Sequence, residues 1–130
     1  MKIKLNSIFV DNQDKALAFY TDMLGFKKCN DIPMGEFRWL TVTSPDGHPD
    51  VELVFEPNAN PAAKTYQEAL FAQGIPITAF EVDDIDAEVK RLKQHDVRFT
   101  MDATDAGTVK LAIFADTCGN LIQIYQLARA

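Results

Sequence analysis

One plan is written twice along this chain, and that repeat limits the possible folds more than any other feature. IFVDNQDKAL (8–17) and FEVDDIDAEV (80–89) each run from an apolar strand end, through Val-Asp, into the start of a helix. One constant spacing carries Val10 to Val82, Leu17 to Val89, and RWLTV (38–42) to KLAIF (110–114). VELVF (51–55) then falls opposite IQIYQ (122–126), which sets Glu52 opposite Gln123. A turn precedes that last strand in each half, SPDGHPD in the first and DTCGN in the second. A duplicated module follows, in which each copy must bury one face of its own sheet.

Each copy reads as a strand, a helix and three further strands. In the first, a strand over 2–10 alternates so that Leu5, Ser7 and Phe9 share one side. Asn12 caps a helix over 13–24, whose broad apolar face holds Ala16, Leu17, Phe19, Tyr20, Met23 and Leu24. Gly25 ends it as a left-handed cap, and strands near 26–30, 36–43 and 50–56 follow. The second copy has a strand over 76–82, a helix over 85–95 behind Asp84, and strands near 97–101, 109–115 and 120–127. Between them, NANPAAKTYQEALFAQG predicts a connector helix framed by Asn60, Pro61 and Gly74. The organisation is one α+β domain of two tandem βαβββ modules: module one at 1–58, the connector at 59–74 and module two at 75–130. With each helix on the outer side of its sheet, the inner faces are expected to form an eight-stranded cupped sheet around a cleft.

Charge and apolar content close several routes. The formal net charge is −6, a field that repels phosphate backbones. The one basic cluster, Lys90, Arg91 and Lys93, lies on a predicted helix among acids, so no nucleic-acid partner is expected. No apolar run is long enough to span a bilayer, so no membrane partner is expected either. MKIKLNSIFVDN has too short an apolar run for a signal peptide, which points to a cytoplasmic location. Cys29 and Cys118 match no zinc or redox spacing and read as buried or semi-buried free thiols. GxGxxG, P-loop, GxSxG and HExxH motifs are all absent, and nothing couples a Ser or Cys nucleophile to a His base.

Glu52 is the candidate with chemistry to offer. In PDVELVFE it shares a face with Val54 and Glu56, which alone suits a wet sheet face, whereas the repeat puts it on the cleft. An apolar cleft would raise its pKa and fit it for proton transfer or for holding a cationic ligand. Gln123, between Leu121 and Tyr125, would fix a ligand carbonyl or hydroxyl without titrating. Phe9, Trp39, Phe80 and Tyr125 form either an aromatic wall or plain core. Alternation lets Arg38 or Trp39, but not both, face inward, and an inward Arg38 would suit carboxylate or phosphate ligands. Glu56 and Glu81 would rim the cleft or simply face water.

The paired modules, VDNQDKALAFYTDMLGF (10–26) and DTCGNLIQI (116–124) resemble the vicinal oxygen chelate superfamily across the whole chain. That group includes glyoxalase I, bleomycin-resistance proteins, extradiol dioxygenases and methylmalonyl-CoA epimerase. The resemblance implies a homodimer, with one metal ligand from the first strand and one from the last strand of each module. The first-strand ligand, often His, lies five residues before the Val that closes the strand. The matching positions here are Leu5, Glu52, Ile77 and Gln123. Leu and Ile carry no donor atoms, and a catalytic zinc needs about three protein ligands. His48, in the turn DGHPD, and His95, at a helix end, read as surface residues. Magnesium would find only Glu52, Gln123 and water. No metal or other cofactor is therefore expected.

Three functions follow from the resemblance. The leading one is a small-molecule-binding protein with a degenerate metal site. Its cleft, lined by Leu5, Ser7, Phe9, Trp39, Glu52, Ile77, Gln123 and Tyr125, would hold an apolar or aromatic compound, as bleomycin-resistance proteins do. The second is an enzyme: a metal-dependent lyase, isomerase or dioxygenase, or a metal-free acid–base catalyst with Glu52 as catalytic residue. The third is a subunit with no ligand. The two missing ligands set the first ahead.

Overall fold

A computed structural model describes residues 1–128. The chain divides into two compact units, the first Met1–Tyr66 and the second beginning at Gln67.

The first unit holds β1 (Leu5–Val10), α1 (Gln13–Ala18), a π-helical turn (Phe19–Met23), β2 (Lys27–Met34), β3 (Phe37–Thr43) and β4 (Glu52–Pro57). Its sheet runs β1-β4-β3-β2, with β1 parallel to β4 and the other pairs antiparallel. Asn12 caps α1 by accepting from the Lys15 N–H at 2.9 Å. The single helix expected over 13–24 instead changes to a π turn at Phe19. There the Thr21 hydroxyl donates to the Leu17 carbonyl at 2.6 Å, competing with the backbone ladder. Gly25 then takes φ 77°, the left-handed cap that the sequence predicts. Ile8, Val10, Ala16, Tyr20, Leu40, Val42 and Phe55 are buried. The Tyr20 ring packs 4.9 Å from that of Phe55, centroid to centroid.

Edges depart most from expectation. β2 runs to Met34, past the predicted 26–30 and through Pro33, which an edge strand tolerates because its outer N–H positions need no partner. β1 starts only at Leu5 rather than near residue 2.

The connector helix, α2 (Pro61–Ala72), forms as predicted and contains the boundary between the units. The second unit continues with β5 (Thr78–Glu81), α3 (Ile85–Gln94), β6 (Phe99–Asp105), β7 (Val109–Ala115) and β8 (Leu121–Leu127). The sheet order is β5-β8-β7-β6, with β5 parallel to β8, so the module's topology repeats. Asp84 caps α3 through the Ala87 N–H at 3.1 Å. Ile85, Val89 and Leu92 of α3 are buried, as are Ala112, Phe114, Ile122 and Ile124 of the sheet. The eight strands thus form two four-stranded sheets, and each unit is a βαβββ module.

The helix side of each sheet carries a matched ion pair. Arg38 on β3 donates to Asp31 at 2.9 and 3.0 Å and pairs with Asp14 of α1. Lys110 on β7 pairs with Asp86 of α3 at 2.9 Å. These partners raise the Arg38 pKa, with the Asp31 hydrogen bond the largest cause. The pairs also decide the Arg38–Trp39 alternative: Arg38 turns to the helix, so Trp39 lies on the opposite face of the sheet.

Candidate functional site

Opposed residues in a ladder point to the same side, and alternate residues along a strand share a face. The face of the first sheet away from α1 therefore carries Leu5, Ser7 and Phe9 of β1, Trp39 and Thr41 of β3, and Glu52 of β4. Leu5 stands directly across from Glu52. Leu5 and Ser7 are exposed, Phe9 and Trp39 half-buried, and Thr41 and Glu52 buried.

Hydrogen-bond polarity favours the ionised form of Glu52. Thr41 Oγ1 accepts from the Asn30 backbone N–H at 3.1 Å and from Asn30 Nδ2 at 3.2 Å. Its single proton is then free to go to Glu52 Oε1, 2.7 Å away. Asn30 Nδ2 also donates to that oxygen at 2.8 Å. The other oxygen, Oε2, faces the Lys4 ammonium at 3.5 Å. Together these lower the Glu52 pKa, with the Thr41 hydrogen bond the largest cause, although burial alone would raise it. The expectation of a raised pKa is overturned, because donors built into the sheet outweigh desolvation.

In the second unit, Gln123 is half-buried on the face away from α3, beside Tyr125. Its neighbours across the ladders are Ala79 and Ile113. Ile77, predicted as the first-strand position, precedes β5 and donates its backbone N–H to the Leu121 carbonyl at 2.8 Å. Ala79, and not Ile77, lies across from Gln123, because β5–β8 pair in a different register from β1–β4. Ala79, like Ile77, has no donor atom. Phe80 stands across from Ile124 on the α3 side and drops out of the expected aromatic wall.

Cys118 is buried as expected, but Cys29 is exposed on the edge strand. His48 and His95 are both exposed. Among the described residues, no three His, Cys, Asp or Glu side chains gather as a metal-binding group. Tested on donor chemistry, the positions Leu5, Glu52, Ile77 and Gln123 do not fit a catalytic metal: two lack donor atoms, and Glu52 Oε1 already accepts two hydrogen bonds.

Sequence reasoning missed Asn30, Thr41 and Lys4. Thr41 was within reach, since it lies two residues from Trp39 on one strand. Asn30 was not, because its pairing with Thr41 follows a β-bulge between Lys28 and Asn30.

The turn leading to Gln123 is held from within. The buried Asp116 carboxylate accepts from the Cys118 N–H at 2.8 Å, the Asn120 N–H at 3.0 Å and Asn120 Nδ2 at 2.8 Å. Gln67 of α2 donates to the Cys118 carbonyl at 3.1 Å and to Asn120 Oδ1 at 3.0 Å. A separate crevice of about 200 Å³, at the far end of β8 beside Asp83 and Gln126, contains the candidate rim acid Glu81 and none of the residues expected to line the cleft.

A model of the Glyoxalase/Bleomycin resistance protein/Dioxygenase superfamily matches residues 2–124. The chain belongs to this superfamily. The chain is 56% identical over 126 residues to the uncharacterized protein YurT of Bacillus subtilis (strain 168), covering 97% of this chain and 99% of YurT. Among solved structures, UcmS2 is 31% identical with a TM-score of 0.82, covering 96% of this chain and 97% of UcmS2. TnmS3, an antibiotic binding protein from Streptomyces sp. CB03234, is 26% identical with a TM-score of 0.77, covering 98% of this chain and 97% of TnmS3. UcmS2 and TnmS3 share the fold of the chain.

Proposed function

We infer that this member of the superfamily binds and sequesters a small apolar or aromatic compound, and that its metal-ligand positions have been given over to that task. The observation that carries the reading is the state of Glu52. It stands across from Leu5 and is held ionised by Thr41 and Asn30 instead of being left open to an ion. The likeness to TnmS3 supports a ligand of antibiotic type. Leu5, Ser7, Phe9 and Trp39, on one face of the first sheet, are the proposed ligand contacts. A homodimer in the cytoplasm belongs to the same reading. A carboxylate with a lowered pKa is a poor proton donor and a weak base at neutral pH, which argues against catalysis by Glu52.

Trp39, the single tryptophan of the chain, reports directly on this face. Titration of a panel of planar apolar compounds should quench its fluorescence with saturable curves. A panel in which no compound changes the emission would contradict the reading.

A further inference from the structure

The two oxygens of Glu52 are unequally held. Oε1 takes both short hydrogen bonds, 2.7 Å from Thr41 and 2.8 Å from Asn30. Oε2 has the Lys4 ammonium at 3.5 Å, too long for a strong hydrogen bond. The other contact of Lys4, to the Asp50 carbonyl, is also long at 3.4 Å. The Lys4 side chain is 49% exposed, whereas that of Glu52 is 9% exposed. A well-buried carboxylate thus depends on a counterion that sits at the end of a flexible stem, ahead of β1, with no strong contact to hold it.

Taking the aromatic-binding reading above as given, we propose that Lys4 is a displaceable counterion and that the bound compound carries a cation, an ammonium or amidinium on its apolar frame, which replaces Lys4 at Oε2. The exchange keeps the buried charge compensated throughout. An uncharged compound that displaced Lys4 would leave the carboxylate without its counterion, and an anionic one would face it directly. Leu5, across the ladder, and Trp39, on the same face, supply apolar contact for the rest of the molecule.

The test compares proflavine, a planar cation at neutral pH, with acridine, the same ring system uncharged there, by quenching of Trp39. Two variants sharpen it. In Glu52→Gln the amide oxygen takes the place of Oε1, where Thr41 and Asn30 donate, so its NH₂ occupies the place of Oε2. Shape is kept while an acceptor becomes a donor. Lys4→Met removes the competing cation from a largely exposed position. The wild-type protein should bind proflavine roughly tenfold tighter than acridine. Lys4→Met should tighten proflavine several-fold and leave acridine unchanged, and Glu52→Gln should abolish the preference. Because Glu52→Gln changes the net charge of −6 by one unit only, general attraction of cations would survive in it. Equal binding of the two probes, a preference that persists in Glu52→Gln, or weaker proflavine binding by Lys4→Met would overturn the proposal and leave the aromatic-binding reading standing. If neither probe binds, that reading fails and the proposal falls with it.

Discussion

Replacing Glu52 by alanine would remove the acceptor that Thr41 and Asn30 share beneath the sheet surface. Losing a buried acceptor of this kind costs about 1–3 kcal/mol. Glutamine keeps an oxygen at the Oε1 position and should cost less than about 1 kcal/mol. Urea unfolding of Glu52→Ala, Glu52→Gln and the wild type checks this order. Acid unfolding examines the same carboxylate from another side. Its folded pKa is lowered, so it adds stability above the ordinary carboxylate pKa, and that stability is lost as pH falls through the depressed value. The stability advantage of wild type over Glu52→Gln should therefore shrink between neutral and acidic pH. An advantage that grew on acidification would show that Glu52 is not held ionised by its donors.

Helix ends and ion pairs carry the predictions at the level of elements. Gly25 has φ 77° and open space around the position of a side chain, so alanine there meets only backbone strain. Gly25→Ala should cost about 1–2 kcal/mol in thermal or urea unfolding. Gly119, at φ 97°, has Gln67 Nε2 3.0 Å from where a Cβ would sit, so Gly119→Ala adds disturbance of the Gln67 clamp to the strain. It should be the more damaging of the two. The matched pairs on the helix sides are unequal as well. Arg38 joins two acids and is the less exposed cation, so Arg38→Ala should destabilise more than Lys110→Ala. Much of this scaffold was readable from the chain: Asn12 and Asp84 as caps, Gly25 as a left-handed end, the strand at 109–115. Strand pairing was less readable. The alternation of 121–127 correctly grouped Gln123 with Tyr125, yet the residue across from Gln123 depends on a parallel register that no local pattern encodes. That is why Ala79 was not expected across from Gln123, and why Asn30, beyond a bulge, went unnoticed.

At the scale of the whole molecule, two modules of one plan carry different side chains at matching positions of their last strands. One retains a carboxylate, Glu52, wrapped in donors; the other has an amide, Gln123, among apolar neighbours. The repeat in sequence revealed the correspondence between these two residues, but not the hydrogen bonds that keep Glu52 ionised. No described helix is long and apolar enough to cross a membrane. The proposed homodimer predicts twice the monomer mass by light scattering, and the monomer mass at micromolar concentration would contradict it. The most direct measurement of the central claim is elemental analysis of protein purified without chelators or a histidine tag. The account predicts no transition metal at the level of one ion per chain. Stoichiometric zinc, nickel, iron or manganese, lost on Glu52→Ala, would contradict it.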